Sequence, residues 1–455
     1  MLIAVEGCCH GDLDVIYESL RAAENTYGAK VELLLICGDF QATRNRNDLE
    51  SLACPPKYRQ MGDFEKYYRG VKEAPVLTIF IGGNHEASNH LWENYYGGWV
   101  AKNIYFMGHS GVVQAKGLTI AGMSGIYKDK DFYRGYTERP PYGGDAQRSI
   151  YHVRDFELAK MKAYSGPPVD IVLTHDWPRG IYEFGNKAQL VRRKPAFKDE
   201  VNEGSLGSPV ARELLDALRP PYFFSGHLHV QFPAVVDWSK SEVAPVHKLT
   251  QFLALDKCLP GRSFLQVIDV PNGDASDVSV SRPIEWLAVL KASDSFFPAN
   301  RTECRMAPLL ASLKADVQSA LGQLREKLGT SGVPVPSWDP AWAKDGEIER
   351  RWLETDHPQT RAVCDLLGIE NKIKRPDSAS GAGSKGARLP SSVAGTRSQL
   401  ASIQGGLTDA NKLLDDLLNA PQPPAPGNQT APPPNQGEPN EPADDGELFQ
   451  IFVDT

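Results

Sequence analysis

No apolar run in this chain approaches the length of a membrane span, and only Leu2 to Val5 are apolar before Glu6, far short of a signal h-region. Membrane-embedded and exported classes are therefore not expected. The seven cysteines, at 8, 9, 37, 54, 258, 304 and 364, are odd in number and irregular in spacing. That pattern argues against a disulfide framework and for a reducing compartment, so a soluble intracellular protein is expected. Positive charge is absent from the end of the chain: from Leu413 onward there are eight acidic residues and no Lys or Arg. The overall charge of −8 is thus carried by the tail, and the body is neutral. A neutral body with local basic patches can still hold a polyanion, because phosphate contacts act within roughly 10 Å at moderate salt. Two such patches stand out, Arg134 to Arg154 and Lys187 to Lys194. At 455 residues, 41% of them hydrophobic, the chain exceeds one ordinary core, and two domains plus a further segment are expected.

What is present is a set of five fragments in order: Cys8-Cys9-His10, Gly38-Asp39, Gly83-Asn84-His85-Glu86, Thr174-His175-Asp176 and Gly226-His227-Leu228-His229. Each follows a short apolar or β-rich run, namely Leu2 to Val5, Val31 to Cys37, Val76 to Ile81, Val169 to Thr174 and Tyr222 to Ser225. Those runs read as buried strands, and the fragments then sit beyond their C-terminal ends, where helix-flanked sheets place their chemistry. Residues 8 and 10 lie two apart, so an extended exit from the first strand turns both side chains to one face. The glycines allow sharp turns and close approach of the ligands. One His after a strand means little, but five such fragments together describe a two-metal phosphoesterase site.

The order of these fragments resembles that of the calcineurin-like metallophosphoesterases. Cys8-Cys9-His10, where such enzymes normally carry Asp-x-His, resembles the variant of the RNA lariat debranching family. Ser124-Gly125-Ile126-Tyr127, Arg139-Pro140-Pro141-Tyr142, Arg148 to Arg154, His175-Asp176-Trp177-Pro178-Arg179, Leu206-Gly207-Ser208-Pro209 and Phe252 to Pro260 are similar to that family's own segments, and weaker similarity runs to about Ile369. The resemblance implies one metal pocket made by Cys8, His10, Asp39 and His229 and a second made by Asp39, Asn84, His175 and His227, with Asp39 bridging. It also implies that His85 is catalytic and serves the leaving oxygen during hydrolytic attack on phosphorus. A soft thiolate at Cys8 biases its pocket toward Zn²⁺ or Fe²⁺ and away from Mg²⁺ or Ca²⁺. The expected cofactors are therefore divalent ions, Fe²⁺, Zn²⁺ or Mn²⁺, one or two per site. Cys9 is expected on the opposite face as a small buried residue.

The insertion 128–155 resembles the family's lariat recognition loop and is dense in rings and cations. Tyr133, Arg134, Tyr142, Arg148, Tyr151, His152 and Arg154 are the candidate RNA contacts, rings stacking on unpaired bases while cations take phosphates. The implied activity is hydrolysis of the 2′,5′ bond at the branch point of excised intron lariats, in intron turnover and mRNA processing. A general phosphatase or cyclic-nucleotide phosphodiesterase is the alternative, opposed by Cys8 and the aromatic insertion. Branched RNA is the expected partner, spliceosome-associated proteins are further candidates, and no membrane is expected. Nuclear residence follows from that substrate, with Lys372-Ile373-Lys374-Arg375-Pro376 only a weak localisation signal.

The expected fold is α/β, a metallophosphoesterase-type αββα sandwich with a smaller C-terminal domain and a disordered tail. Residues 1–240 alternate strand-like runs with helical ones at Val15 to Tyr27, Arg154 to Tyr164 and Pro209 to Leu218 and form the catalytic domain. Residues 241–372, with two strand-like pieces and an amphipathic helix from about Met306 to Leu328, form the family's C-terminal domain. Residues 373–455 are rich in Ser, Gly and Ala and then Pro, Asn and Gln, too polar to bury a core. Within them only Ser398 to Leu418 carries an apolar pattern suited to a transient helix.

Overall fold

The structure is a computed structural model that describes residues 1–140, 142–239, 246–271, 273–277, 279–299, 303–343 and 357–373. The low-complexity tail, the Ser398 to Leu418 segment and residues 374–376 of the basic turn lie outside the described residues.

Apolar residues two apart decide the layering. In β1 (Leu2–Glu6) Ile3 and Val5 face one core and Ala4 another; in β2 (Leu33–Ile36) Leu33 and Leu35 part from Leu34 and Ile36 in the same way. β8 (Ile171–Thr174) and β9 (Tyr222–Ser225) repeat the pattern, with Ile171, Leu173 and Phe224 on the shared inner side and Val172 and Phe223 on the outer. Strands buried on both faces belong to sheets covered by helices. Two sheets therefore pack face to face with helices outside each, the αββα arrangement.

The first sheet has the order β12-β1-β2-β3-β5-β4, adding β3 (Leu77–Phe80), β4 (Gly98–Ala101), β5 (Ile104–Phe106) and β12 (Leu265–Asp269). The second has the order β10-β11-β9-β8-β7-β6-β13-β14, from β6 (Ser110–Ala115), β7 (Leu118–Met123), β10 (Phe232–Asp237), β11 (Leu249–Ala254), β13 (Val280–Arg282) and β14 (Val333–Pro334). β1, β2 and β3 run parallel, as do β7, β8, β9 and β11. Their C-terminal ends gather at one rim. Leu35, wholly buried in the inner layer, illustrates the energetics: truncation to Ala at such a position costs about 2–5 kcal/mol.

The helices follow from local signals. Leu13–Tyr27 buries Leu13, Ile16, Tyr17 and Leu20, spaced for one face, and stops at Gly28 in the left-handed region (φ 65°). Pro209–Leu218 starts on Ser208, whose hydroxyl accepts from the Ala211 N–H at 3.2 Å, with proline at the first turn. Ile284–Ser293 is apolar nearly all round, and accordingly it is enclosed by Asp155–Ala163, Leu310–Leu328 and Pro358–Leu367.

The segment beyond 247 is woven into both sheets. β11 inserts between β9 and β10, β12 pairs antiparallel with β1 from Leu2↔Asp269 to Glu6↔Leu265, and β13 pairs with β6. β1 and β9, the strands that lead into Cys8 and His227, thus each lie against a strand from this later segment. Among the described residues no helix is long and apolar enough to cross a membrane.

Candidate metal centre

Every candidate ligand follows the C-terminal end of a parallel strand: Cys8 and His10 after β1, Asp39 after β2, Asn84 after β3, His175 after β8, and His227 and His229 after β9. Donor atoms of Cys8, His10, Asp39 and His229 all lie within 4.8 Å of one another. His10 Nε2 stands 3.4 Å from His229 Nε2 and 3.5 Å from Asp39 Oδ2. The other oxygen of Asp39, Oδ1, is 3.3 Å from His175 Nε2, which is itself 3.2 Å from Asn84 Oδ1. The two oxygens of one carboxylate are thus divided between two clusters, the geometry a bridging ligand requires. His227 packs its ring at 4.9 Å from that of His175, and its Nε2 lies 3.6 Å from Asp176 Oδ1.

Cys8 and His10 do share a pocket, but extended alternation is not what brings them together. His10 has φ 49°, a left-handed kink, and Asp39 (49°), His227 (66°) and His229 (50°) adopt the same region. Among the described residues eight non-glycine positions have positive φ, and four of them are these ligand candidates. Such backbone costs about 1–2 kcal/mol per L-residue, and strain of this kind collects at functional sites. Two glycines permit the crowding. A Cβ on Gly83 would stand 2.2 Å from Asp39 Oδ1, and one on Gly226 would stand 2.9 Å from Cys8 Sγ. Cys9 lies on the opposite side, buried with Ala4, Leu13 and Ile16.

The electrostatics suit cations. Burial first, and neighbouring imidazoles next, bring His10 down to about 4, His227 to about 3 and His229 to about 2, so all three are neutral donors. Burial opposes the charge on Asp39, yet His175 and His85 outweigh it and hold the carboxyl well below its usual range. At His175 burial likewise loses to Asp39, which raises the imidazole to about 9. Burial, Asp39 and Glu6 push the Cys8 thiol well up, while the His227 N–H points at its sulfur from 3.0 Å. A buried carboxylate, a thiol and three neutral imidazoles converging here, beside His175, make a donor set that fits a divalent metal, and Cys8 and His175 would each give up a proton to hold it.

Supporting contacts fix the ligands. His175 Nδ1 donates to the Cys37 carbonyl at 2.7 Å, which leaves Nε2 as the coordinating atom. The His85 N–H donates to Asp39 Oδ1 at 2.8 Å, and the His85 ring lies 5.4 Å from that of His10, at the centre but outside both clusters. Sequence reasoning gave no role to Glu86, Gln41 or Asp176. Glu86 accepts the N–H groups of Phe40 (2.8 Å), Gln41 (2.9 Å) and Gly83 (2.8 Å), locking together the two loops that carry Asp39 and Asn84. Gln41 Nε2 meets His10 Nδ1 at 3.3 Å. Asp176 Oδ2 accepts from the Tyr127 N–H at 2.7 Å, and burial pushes its carboxyl up to about 6. Adjacency to His85 and His175 was the available signal for Glu86 and Asp176.

The recognition-loop candidates divide. Arg148 is exposed, and Tyr151 is half-buried close enough to feel the Asp39 charge, which adds to burial in raising its hydroxyl to about 12 against the opposing Arg148. Arg134 is exposed and pairs with Asp131 at 3.1 Å; Tyr133 lies under the Arg305 guanidinium at 4.0 Å. Three candidates do not present themselves to a ligand. Arg154, 1% exposed, pairs with Glu138 at 2.8 Å and lies over the Tyr136 ring; His152 bonds Asp131 at 2.7 Å; Tyr142 is buried. Arg154 and His152 are turned inward, each held by a carboxylate whose loss would leave the other partner buried and unmet, while the Tyr142 ring packs in the core. These three shape the loop.

Two sheets ending at one rim in a Cys/His/Asp/Asn cluster define a metal-dependent phosphoesterase, and residues 1–231 match the calcineurin-like phosphoesterase family. Residues 247–372 match the family described as lariat debranching enzyme, C-terminal domain. The chain is 55% identical over 380 residues to lariat debranching enzyme A of Xenopus laevis, covering 81% of this chain and 70% of that protein. It is 45% identical over 381 residues to the lariat debranching enzyme of Homo sapiens (81% and 69% covered) and 44% over 371 residues to that of Arabidopsis thaliana (81% and 86%). This chain belongs to the lariat debranching enzyme family.

Proposed function

We propose that this enzyme hydrolyses the 2′,5′ phosphodiester at the branch point of excised intron lariats, leaving a 2′-hydroxyl on the branch nucleotide and a 5′-phosphate on the released end. The observation that carries the reading is the thiol-containing cluster at the rim, Cys8 with His10, Asp39 and His229, in a chain so similar to the debranching enzymes. A general phosphatase or cyclic-nucleotide phosphodiesterase is not favoured.

Divalent metal supplies Lewis acidity and charge neutralisation at the phosphate when bound. Cys8, His10, Asp39 and His229 would hold one ion, and Asp39, Asn84, His175 and His227 a second; Zn²⁺, Fe²⁺ or Mn²⁺ match these donors. Asp39 orients both clusters through its two oxygens, and Asn84 offers a neutral oxygen that adds no negative charge beside the phosphate. His85, backed by its N–H bond to Asp39, holds a proton for the departing 2′-oxygen. Arg148 and Tyr151 border the same space and orient RNA through phosphate contact and stacking. Such a substrate supports nuclear residence and a part in mRNA processing, with spliceosome-associated proteins as candidate partners.

The deciding assay incubates purified protein with Mn²⁺ or Zn²⁺ and a branched RNA, a linear 3′,5′ RNA or p-nitrophenyl phosphate. Cleavage confined to the branch is expected. Equal turnover of the linear RNA or of the small ester would overturn the reading.

A further inference from the structure

The segment Asp256-Lys257-Cys258 runs beside Cys8 and is tied to it. The Cys8 N–H donates to the Asp256 carbonyl at 3.3 Å, the Cys258 N–H donates to the Cys8 carbonyl at 3.1 Å, and Cys8 and Lys257 form a parallel bridge. Residues paired in register project to the same face of a sheet, and their neighbours to the other. Cys9 and Cys258 accordingly share the core beneath. Lys257 therefore projects with the Cys8 thiol toward the metal pocket.

Its surroundings suit a ligand anion. Lys257 is half-buried, and among the described residues no carboxylate lies within ion-pair distance of its ammonium; the neighbouring Asp256 is engaged by Arg262 at 3.2 Å. The bridge to Cys8 sets Lys257 directly beside a ligand of the first pocket. Lys194, half-buried at the end of the basic helix Lys187–Arg193, is pushed down by burial against the opposing Asp256 charge, with Arg262 and Lys257 adding to the lowering, so the three cations gather around Asp256. A half-buried lysine whose backbone is bridged to Cys8 and which has no acidic partner among the described residues costs desolvation that a phosphate would return.

We propose that Lys257 is a substrate-positioning residue that holds a phosphate flanking the scissile one, with Lys194 and Arg262 extending the same track for the RNA backbone. This rests on the reading of the site as one that cleaves branched RNA. The reacting phosphate belongs to the metal cluster; Lys257 stands beside that cluster and not among its ligands. It should act on substrates with neighbouring phosphates and be silent on one that has only the scissile phosphate.

The test uses the metal-loaded full chain with Lys257→Gln and Lys257→Arg. Substrates are a branched RNA and a 2′,5′-linked dinucleotide. Expected for Lys257→Gln on branched RNA is a KM raised on the order of tenfold with kcat unchanged, and a log–log salt slope of binding flattened by about 0.7, the value for one single-strand phosphate contact. Metal content by elemental analysis and KM on the dinucleotide should stay at wild-type values, and Lys257→Arg should recover most of the affinity. Unchanged KM and slope, an equal defect on the dinucleotide, loss of metal or of kcat, or an arginine variant as weak as the glutamine one would each overturn the proposal. If the wild-type protein binds branched RNA with this lysine-dependent slope but does not cleave it, the functional reading falls and the phosphate contact stands.

Discussion

Removing the Glu86 carboxylate should loosen the metal centre without touching a ligand. It accepts three backbone N–H groups, from Phe40 and Gly83 on one oxygen and from Gln41 on the other, and it is 2% exposed. Glu86→Ala leaves these three donors without an acceptor. At about 1–3 kcal/mol for each unmet donor, with partial relaxation, the cost is about 3–6 kcal/mol. Glu86→Gln keeps one acceptor oxygen and turns the other contact into a donor facing a donor, so its cost is about 1–3 kcal/mol. Because Phe40 and Gln41 flank Asp39 and Gly83 precedes Asn84, the loss falls on ligand placement, and metal affinity should drop about 10–100-fold in the glutamine variant. Chelator-competition titration measures the affinity, and thermal unfolding of the metal-free protein measures the stability. The reasoning is refuted if Glu86→Ala keeps both the wild-type metal affinity and the wild-type midpoint.

His85→Ala should lose about 10²–10⁴ in turnover while retaining metal and branched-RNA binding, since its ring stands outside both clusters; elemental analysis showing metal loss would contradict that assignment. Cys8→Asp replaces soft sulfur with hard oxygen and should move the order of activating metals toward Mn²⁺ and Mg²⁺, and an unchanged ranking would count against it. Arg154→Ala strips the partner from the buried Glu138 carboxylate and should cost about 3–5 kcal/mol in urea unfolding with metal content intact; a wild-type unfolding midpoint would restore Arg154 as a free RNA contact.

The strands that carry ligands were legible because a β-rich run followed by Gly, Asn, Asp or His is strong punctuation, and Tyr222–Ser225 and Pro209–Leu218 fall where their residue patterns put them. The two strand pairs between Gly98 and Met123, one in each sheet, were not read, since their short strands are buried on nearly every residue and show no alternation. Pocket membership of Cys8 and His10 was expected for a reason the backbone does not follow, because a left-handed φ at a histidine leaves no mark in composition. The recognition loop misled differently. Asp131 and Glu138 lie in the same stretch as His152 and Arg154, and a string of residues does not reveal which charges neutralise each other indoors.

The weave of the later segment into the sheets has a consequence for biosynthesis. Cys8 leaves the ribosome long before its support does: the strand that flanks β1 ends at Asp269, and the backbone that clasps Cys8 comes from Asp256 and Cys258. At roughly 5–20 residues per second, the thiol waits roughly 13–50 s for its supporting strands. Throughout that interval β1 lacks the partner on its β12 side, and β9, once made, presents an unpaired edge until β11 follows. A nascent chain, or one truncated near residue 240, therefore has its ligands but no finished pocket, and the nuclease activity proposed for the whole chain is withheld until most of it has been made.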